Sequence, residues 1–305
     1  YNDWHLHDWC NAAPGRFIPL MMIPWWDTQA AAAEINRMAK LGVHAMTLSD
    51  NPTVHGFPSI HNDHWDPVWK ACADNDVVIC CHIGTGVKAA HASDESPIDA
   101  WITSMPISIA NSAADWLWAP MWKKYPKLRM ALSEGGIGWI PYFLERADFT
   151  HGHHHTWTNS NFGGQKPSEC FNEHIITCFI EDSFGLQNTD HINMDKVTWE
   201  CDYPHSDCTW PNSADVFWNQ AKHLSDELIN KVSHLNAMRE FNYDPFSILG
   251  RENCTVGALR EMAKDVDTSP SQGMGGAAPD RDPNKPVTSG DINKMFEAAD
   301  AQTAL

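Results

Sequence analysis

Two short segments of this chain bring ionisable side chains to the end of an apolar run. In Lys196-Val-Thr-Trp-Glu-Cys-Asp-Tyr-Pro-His-Ser-Asp207, Val197 and Trp199 suit a buried pleated strand. Pro204 has no N–H and stops the ladder, so Asp202, His205 and Asp207 arrive together at the strand's C-terminal end. In Val77-Val-Ile-Cys-Cys-His82-Ile-Gly-Thr-Gly86, a second apolar run presents His82 and breaks into glycines. A third, Leu128 to Ser133, leads into Glu134-Gly-Gly-Ile-Gly138. Carboxylates and imidazoles on neighbouring strand ends are what a divalent metal ion needs. A metal so held lowers the pKa of bound water and polarises a substrate oxygen, with nearby acids and imidazoles moving protons.

Each of these residues also has an ordinary reading. His82 as a ligand outweighs His82 as a satisfied core histidine, given the glycine loop that follows it. Asp202 is the stronger candidate, because a buried strand-end carboxylate without a cation or donors is costly. Glu134 is either an acid/base group or a cap for the helix that follows, with equal weight on each. His205 is either a proton-transfer or substrate group or a surface turn residue. His55, His61 and His64 fall on a long loop after Val43–Leu48, where His55 and His61 are candidate substrate contacts together with Asp207. The run His151/His153-His154-His155 splays around several helix faces and reads as a solvated helix end.

The elements that must position these groups alternate. Strands are predicted over Arg16–Trp25, Val43–Leu48, Val77–His82, Leu128–Ser133, Glu173–Ile180 and Val197–Cys201. Helices are predicted between them, one over Gln29–Leu41 capped by Asp27 or Thr28 and closed by Gly42. Further helices are predicted over Asp66–Asp74, Pro97–Trp118, Trp139–His155, Ser213–His223 and Asp226–Phe241. This alternation implies a parallel sheet with helical crossovers. No Gly-x-Gly-x-x-Gly follows the first strand, so a dinucleotide fold lacks its main sign. A (β/α)8 barrel needs eight strands against the six predicted, and the chain opens Tyr1-Asn-Asp-Trp within a helical pattern. The expectation is therefore a TIM-type α/β barrel lacking its N-terminal part here. The barrel domain is predicted over 1–268, followed over 269–305 by a linker rich in Ser, Pro and Gly and a short helix near Ile292–Ala301.

Taken in order, Trp65-Asp-Pro67, His82-Ile-Gly-Thr-Gly86, Ser133-Glu-Gly-Gly-Ile-Gly-Trp-Ile-Pro-Tyr142 and Glu200-Cys-Asp-Tyr-Pro-His-Ser-Asp207 resemble the amidohydrolase-related family. This is the metal-dependent hydrolase branch that includes aminocarboxymuconate-semialdehyde decarboxylase and γ-resorcylate decarboxylase. The resemblance covers about Tyr1 to Phe246 and implies one metal-binding His at the end of barrel strand five and one metal-binding Asp at the end of strand eight. With two strands ahead of Tyr1, His82 and Asp202 fall on those positions. Two departures stand out. The family's first-strand metal pair has no counterpart, since His5-Leu-His7 has the spacing but sits in an exposed helical pattern. Glu134 stands near where the decarboxylases carry a catalytic His.

The expected activity is metal-dependent hydrolysis of a small carboxylated molecule, with Glu134 and His205 as proton-transfer groups and His82 and Asp202 as ligands. The alternatives are non-oxidative decarboxylation and a silent barrel kept for assembly. The expected cofactor is one divalent ion, zinc first, with manganese, cobalt or iron also compatible. A formal charge of −18 argues against nucleic acid and anionic membranes as partners. Apolar residues make up 43 % of the chain, ample for a core, yet none of its apolar runs approaches a membrane span of about 20 residues. Nine scattered cysteines, several of them on predicted strands, read as reduced thiols, which fits a cytoplasmic location. The tryptophans from Trp101 to Trp122 are assigned to the core or to a subunit interface, and a homodimer or homotetramer is expected.

Overall fold

The computed structural model describes residues 1–86, 93–269 and 284–294. Five strands form one parallel sheet: β1 (Ala45–Leu48), β2 (Val78–His82), β3 (Arg129–Ser133), β4 (Ile175–Phe179) and β5 (Val197–Trp199). Their spatial order is their chain order, β1-β2-β3-β4-β5. A doubly wound sheet reverses direction at a switch point, whereas this winding always adds the next strand on the same side, as a barrel does. All four pairings are parallel, and His82 is the register partner of Ser133.

The first predicted strand, Arg16–Trp25, is reduced to a single parallel bridge between Met21 and Met46. Met21 N–H donates to the Ala45 carbonyl at 2.9 Å, and Thr47 N–H donates to the Met21 carbonyl at 3.0 Å. Pro19 and Pro24 flank the bridge and have no N–H, so the ladder cannot extend from it. A second correction concerns Glu173 and His174, which close helix Pro167–His174 instead of opening a strand. Pro167 supplies a preset φ at its first turn, and the ladder begins only at Ile175.

The crossovers are helical. Helix α1 (Thr28–Ala39) starts where the Asp27 carboxylate accepts from Gln29 N–H and Ala30 N–H, and it buries Ala31, Ile35 and Met38. Next come α2 (Asp66–Asp74), α3 (Ile98–Leu117), α4 (Ile140–Thr158), α5 (Pro167–His174) and α6 (Ser213–Ala221). They pack on the outward sheet face, where Met46, Ile79, Cys81, Met130, Leu132, Ile175 and Phe179 join Trp65, Trp69 and Trp116 in the main core. Of the tryptophans assigned to core or interface, Trp116 and Trp122 are buried and Trp101 is half-buried. The opposite face carries smaller side chains, Ala45, Val78, Cys80, Ala131 and Ile176, closed off by Leu20 and Phe241. All nine cysteines are free.

The predicted linker and terminal helix lie partly outside the described residues. Residues 284–294 run back along the start of α3, with Thr288 bridging Pro97 and Ile98 N–H donating to the Val287 carbonyl at 2.8 Å. A helical turn begins at Ser289, three residues ahead of the predicted start. Among the described residues no helix is long and apolar enough to cross a membrane.

Candidate functional site

His82 closes β2, Glu134 follows β3 by one residue, and Glu200 and Asp202 follow β5 by one and three. Parallel strands lie about 4.8 Å apart, so the ends of β3 and β5, with β4 between them, would stand about 10 Å apart in a flat sheet. The sheet's curvature and two unusual backbone turns remove that gap. Glu134 has φ of 67° and Asp202 has φ of 56°, both in the left-handed region that non-glycine residues seldom enter. Each turn breaks the strand direction and folds the carboxylate inward. Backbone strain of this kind collects at functional sites, where surrounding structure must hold it.

The result is a chain of acids and imidazoles. His82 Nε2 stands 2.6 Å from Glu134 Oε2, and His205 Nδ1 lies 3.7 Å from Glu134 Oε1. His205 Nδ1 also faces both Asp202 oxygens, at 2.8 and 2.9 Å. Donor atoms of Glu134, Asp202 and His205 all lie within 4.8 Å of one another, close enough to hold a metal ion between them. Glu134 thus bridges His82 on one oxygen and the Asp202–His205 pair on the other.

Charge balance within this cluster is informative. His82 Nδ1 faces the Ile83 carbonyl at 2.7 Å while Nε2 faces Glu134, so both ring nitrogens meet acceptors. The Glu134 hydrogen bond, opposed by burial, pushes the His82 pKa up to about 9. Burial pushes Glu134 up, but hydrogen bonds from His82 and Asp202 outweigh it and leave Glu134 below the ordinary carboxylate range. Asp202 goes the other way, raised by burial and by Glu134. The two adjacent carboxyls are thus pushed in opposite directions. A divalent cation fits this donor set, because it would sit between carboxylate oxygens that otherwise repel, with an imidazole nitrogen beside them. Burial also raises Glu200, the third acid of the group.

The remaining sequence candidates are placed differently. His55 Nε2 donates to the Thr85 carbonyl at 2.8 Å and stands edge-on to Trp25, bracing the loop that follows His82. His61 is exposed and pairs with Asp115 of α3 at 2.8 Å. Asp207 is exposed on the turn beyond His205. None of these three joins the donor group found among the described residues. His5 and His7 lie on a helical turn, His5–Trp9, with His5 Nε2 3.7 Å from Cys10 Sγ. The His153–His155 rings are exposed at the end of α4.

Two further residues bordering the site were not among the sequence candidates. Glu200 Oε1 accepts the Glu134 N–H at 3.0 Å. Its signal was present, since residues 200 and 202 lie on one side of a strand with period two. Asp182, after β4, accepts from Ile137 N–H at 2.7 Å, Gly138 N–H at 2.6 Å and Gly185 N–H at 2.8 Å. It pins the glycine loop that carries Glu134, and nothing local in the sequence marks which amides it would find.

The amidohydrolase family model matches residues 1–242. No curated protein sequence matches the chain. Among solved structures, the 5-carboxyvanillate decarboxylase of Sphingomonas paucimobilis is 21% identical, with a TM-score of 0.62 over 77% of this chain and 69% of its own. The 2,6-dihydroxybenzoate decarboxylase of Rhizobium is 20% identical, with a TM-score of 0.58 over 79% of this chain and 75% of its own. A dihydroxybenzoic acid decarboxylase of Polaromonas sp. JS666, solved with manganese and 2-nitroresorcinol, is 22% identical, with a TM-score of 0.58 over 79% of this chain and 73% of its own. At such identities the likeness is one of fold: the barrel whose strands wind in a single direction. That winding and a family match running from the first residue through the last sheet strand agree, and the chain belongs to the amidohydrolase family of enzymes.

Proposed function

We propose that this chain is a metal-dependent, non-oxidative decarboxylase of small carboxylated phenols, in preference to the hydrolase expected from sequence alone. The observation that carries the reading is His82. Hydrolysis by a metal-activated water begins with a base, whereas loss of carbon dioxide from an aromatic ring begins with an acid aimed at carbon. His82 Nε2 is held as an N–H by Glu134 and is half-exposed toward the strand-end face. Structural likeness to three decarboxylases, one of them carrying manganese, supports the same choice.

Glu134, Asp202 and His205 would hold one divalent ion. When bound, such an ion neutralises a substrate carboxylate and an adjacent phenolic oxygen. The chain's own residues do the rest. The proton held between His82 Nε2 and Glu134 Oε2, 2.6 Å apart, passes to the ring carbon that bears the carboxylate and leaves His82 neutral, while the Ile83 carbonyl keeps the imidazole oriented through Nδ1. The bond from that carbon to the carboxylate then breaks, its electron pair restores the aromatic ring, and carbon dioxide leaves. Solvent returns a proton to His82, whose side chain is 47% exposed.

The test is direct. Protein loaded with manganese is offered a panel of hydroxybenzoates, and carbon dioxide and the phenol product are measured against chelated protein. Equal yields of the two products, abolished by chelation, are expected. Cleavage of lactones or amides without carbon dioxide release would return the reading to hydrolysis.

A further inference from the structure

The amide of Glu134 poses a structural problem. Ser133 is the last ladder residue of β3, paired with His82, so the next N–H has left the sheet. Glu134 also takes a backbone conformation, φ 67°, that costs a non-glycine residue free energy. Something must capture that N–H, and two groups do: Glu200 Oε1 at 3.0 Å and Cys178 Sγ at 3.3 Å. Sulfur is a weak acceptor, and the Cys178 thiol itself donates to the Leu132 carbonyl at 3.5 Å. The carboxylate is the effective partner.

Its surroundings make an idle role costly. Glu200 borders a cavity of about 270 Å³ whose walls include Leu20, Ala131, Ile176 and Phe241. A carboxylate against apolar walls is unfavourable without a hydrogen bond to satisfy it. Its own backbone is a rigid extension of the sheet, with Glu200 N–H donating to the Phe179 carbonyl at 3.1 Å. Hence the arm that reaches Glu134 stands on a fixed base.

We propose that Glu200 is a positioning residue: by accepting the Glu134 N–H it holds Glu134 turned inward, so that one carboxylate serves His82 on one oxygen and the Asp202–His205 pair on the other. This rests on the reading of Glu134, Asp202 and His205 as the metal-holding group. Reach, and not charge, is what the role requires.

Three variants of the full chain separate those two properties. E200Q keeps the arm length and a carbonyl oxygen acceptor but loses the charge. E200D keeps the charge and shortens the arm, and E200A removes both. Manganese affinity is measured by calorimetric titration, with a melting curve for each variant as a folding control. E200A and E200D are expected to bind manganese about 10- to 100-fold more weakly, the usual effect of losing a group that orients a ligand. E200Q is expected to recover most of that loss. Affinity in E200D equal to that of the original chain would overturn the proposal, as would E200Q as impaired as E200A. Either result leaves the metal-site reading standing. Absence of manganese binding by the unaltered chain would bring down both. If E200A does not fold, the E200D and E200Q pair decides.

Discussion

His82 meets acceptors at both ring nitrogens, the Ile83 carbonyl at 2.7 Å and Glu134 at 2.6 Å. In the mechanism proposed above Nε2 carries a proton and so gives no lone pair to a metal. Its role is therefore testable apart from that of the ligands. H82Q is expected to lower decarboxylation about 10²- to 10⁴-fold, the range for a lost acid, while manganese affinity measured by titration changes little. A collapse of affinity in H82Q would show that His82 is a ligand after all. The same pair makes stability depend on pH in the chelated protein. His82 has a folded pKa raised to about 9, so its contribution is complete below the ordinary histidine value of about 6.5. It is lost as pH rises through about 9. Urea midpoints of the chelated protein should fall across that interval, and the fall should vanish in H82Q.

At the scale of elements, the glycine loop after β3 does more than punctuate. Gly135 passes so close to α3 that an added Cβ would stand 2.2 Å from Ile109 Cγ2. Ile109 is fully buried in the middle of that helix and cannot withdraw. G135A must therefore push the loop away from α3, costing about 1–3 kcal/mol as overpacked sites do, and it must shift Glu134 with it. A lowered urea midpoint together with lost turnover is expected. Stability that falls while turnover stays would show that the loop can move without disturbing Glu134. On the far side of the loop Asp182 ties down Ile137 N–H and Gly138 N–H, so Glu134 is fixed from two directions.

The whole molecule has two ends with different tasks. Chemistry gathers where the strands finish, while the other end is closed by a buried ionic group around Glu240, only 3% exposed. Arg129 Nη1 lies 2.9 Å from Glu240 Oε2, and Lys196 Nζ lies 3.1 Å from Oε1. Burial pushes the Glu240 carboxyl up, but Arg129 and Lys196 outweigh it and hold it below the usual range. Its contribution is thus present above the ordinary carboxylate pKa and is lost as pH falls through the depressed folded value. E240A takes a buried carboxylate from Arg129, Lys196 and Arg239, of which Arg129 keeps Asp76, and is expected to cost about 3 kcal/mol. Arg129 opens β3 and Ser133 ends it, which separates the ends by about 13 Å along the strand. Manganese affinity and turnover of the folded E240A fraction should stay unchanged. A change in either would mean that the two ends are mechanically coupled.

Sequence by itself determined which segments could be strands and which residues they would deliver. Hydrophobic runs ending in Gly, Pro or acids are local, and so all five strands β1 to β5 were legible, together with the candidates His82, Glu134, Asp202 and His205 at their ends. The predicted strand over Arg16–Trp25 was overread because an apolar run predicts burial, whereas pairing also needs the N–H groups that Pro19 and Pro24 lack. Who meets whom was a different question. His82 and Asp202 were expected as ligands of one metal, and in the folded chain Glu134 also joins them, 2.6 Å from His82 Nε2 and beside the Asp202–His205 pair. That outcome depends on sheet curvature and on two left-handed backbone turns at Glu134 and Asp202, neither of which has a local signature in residues that ordinarily avoid such φ. Glu200 and Asp182 became visible for the same reason: their partners are backbone amides on other elements, which no residue type encodes and only the folded chain brings within reach.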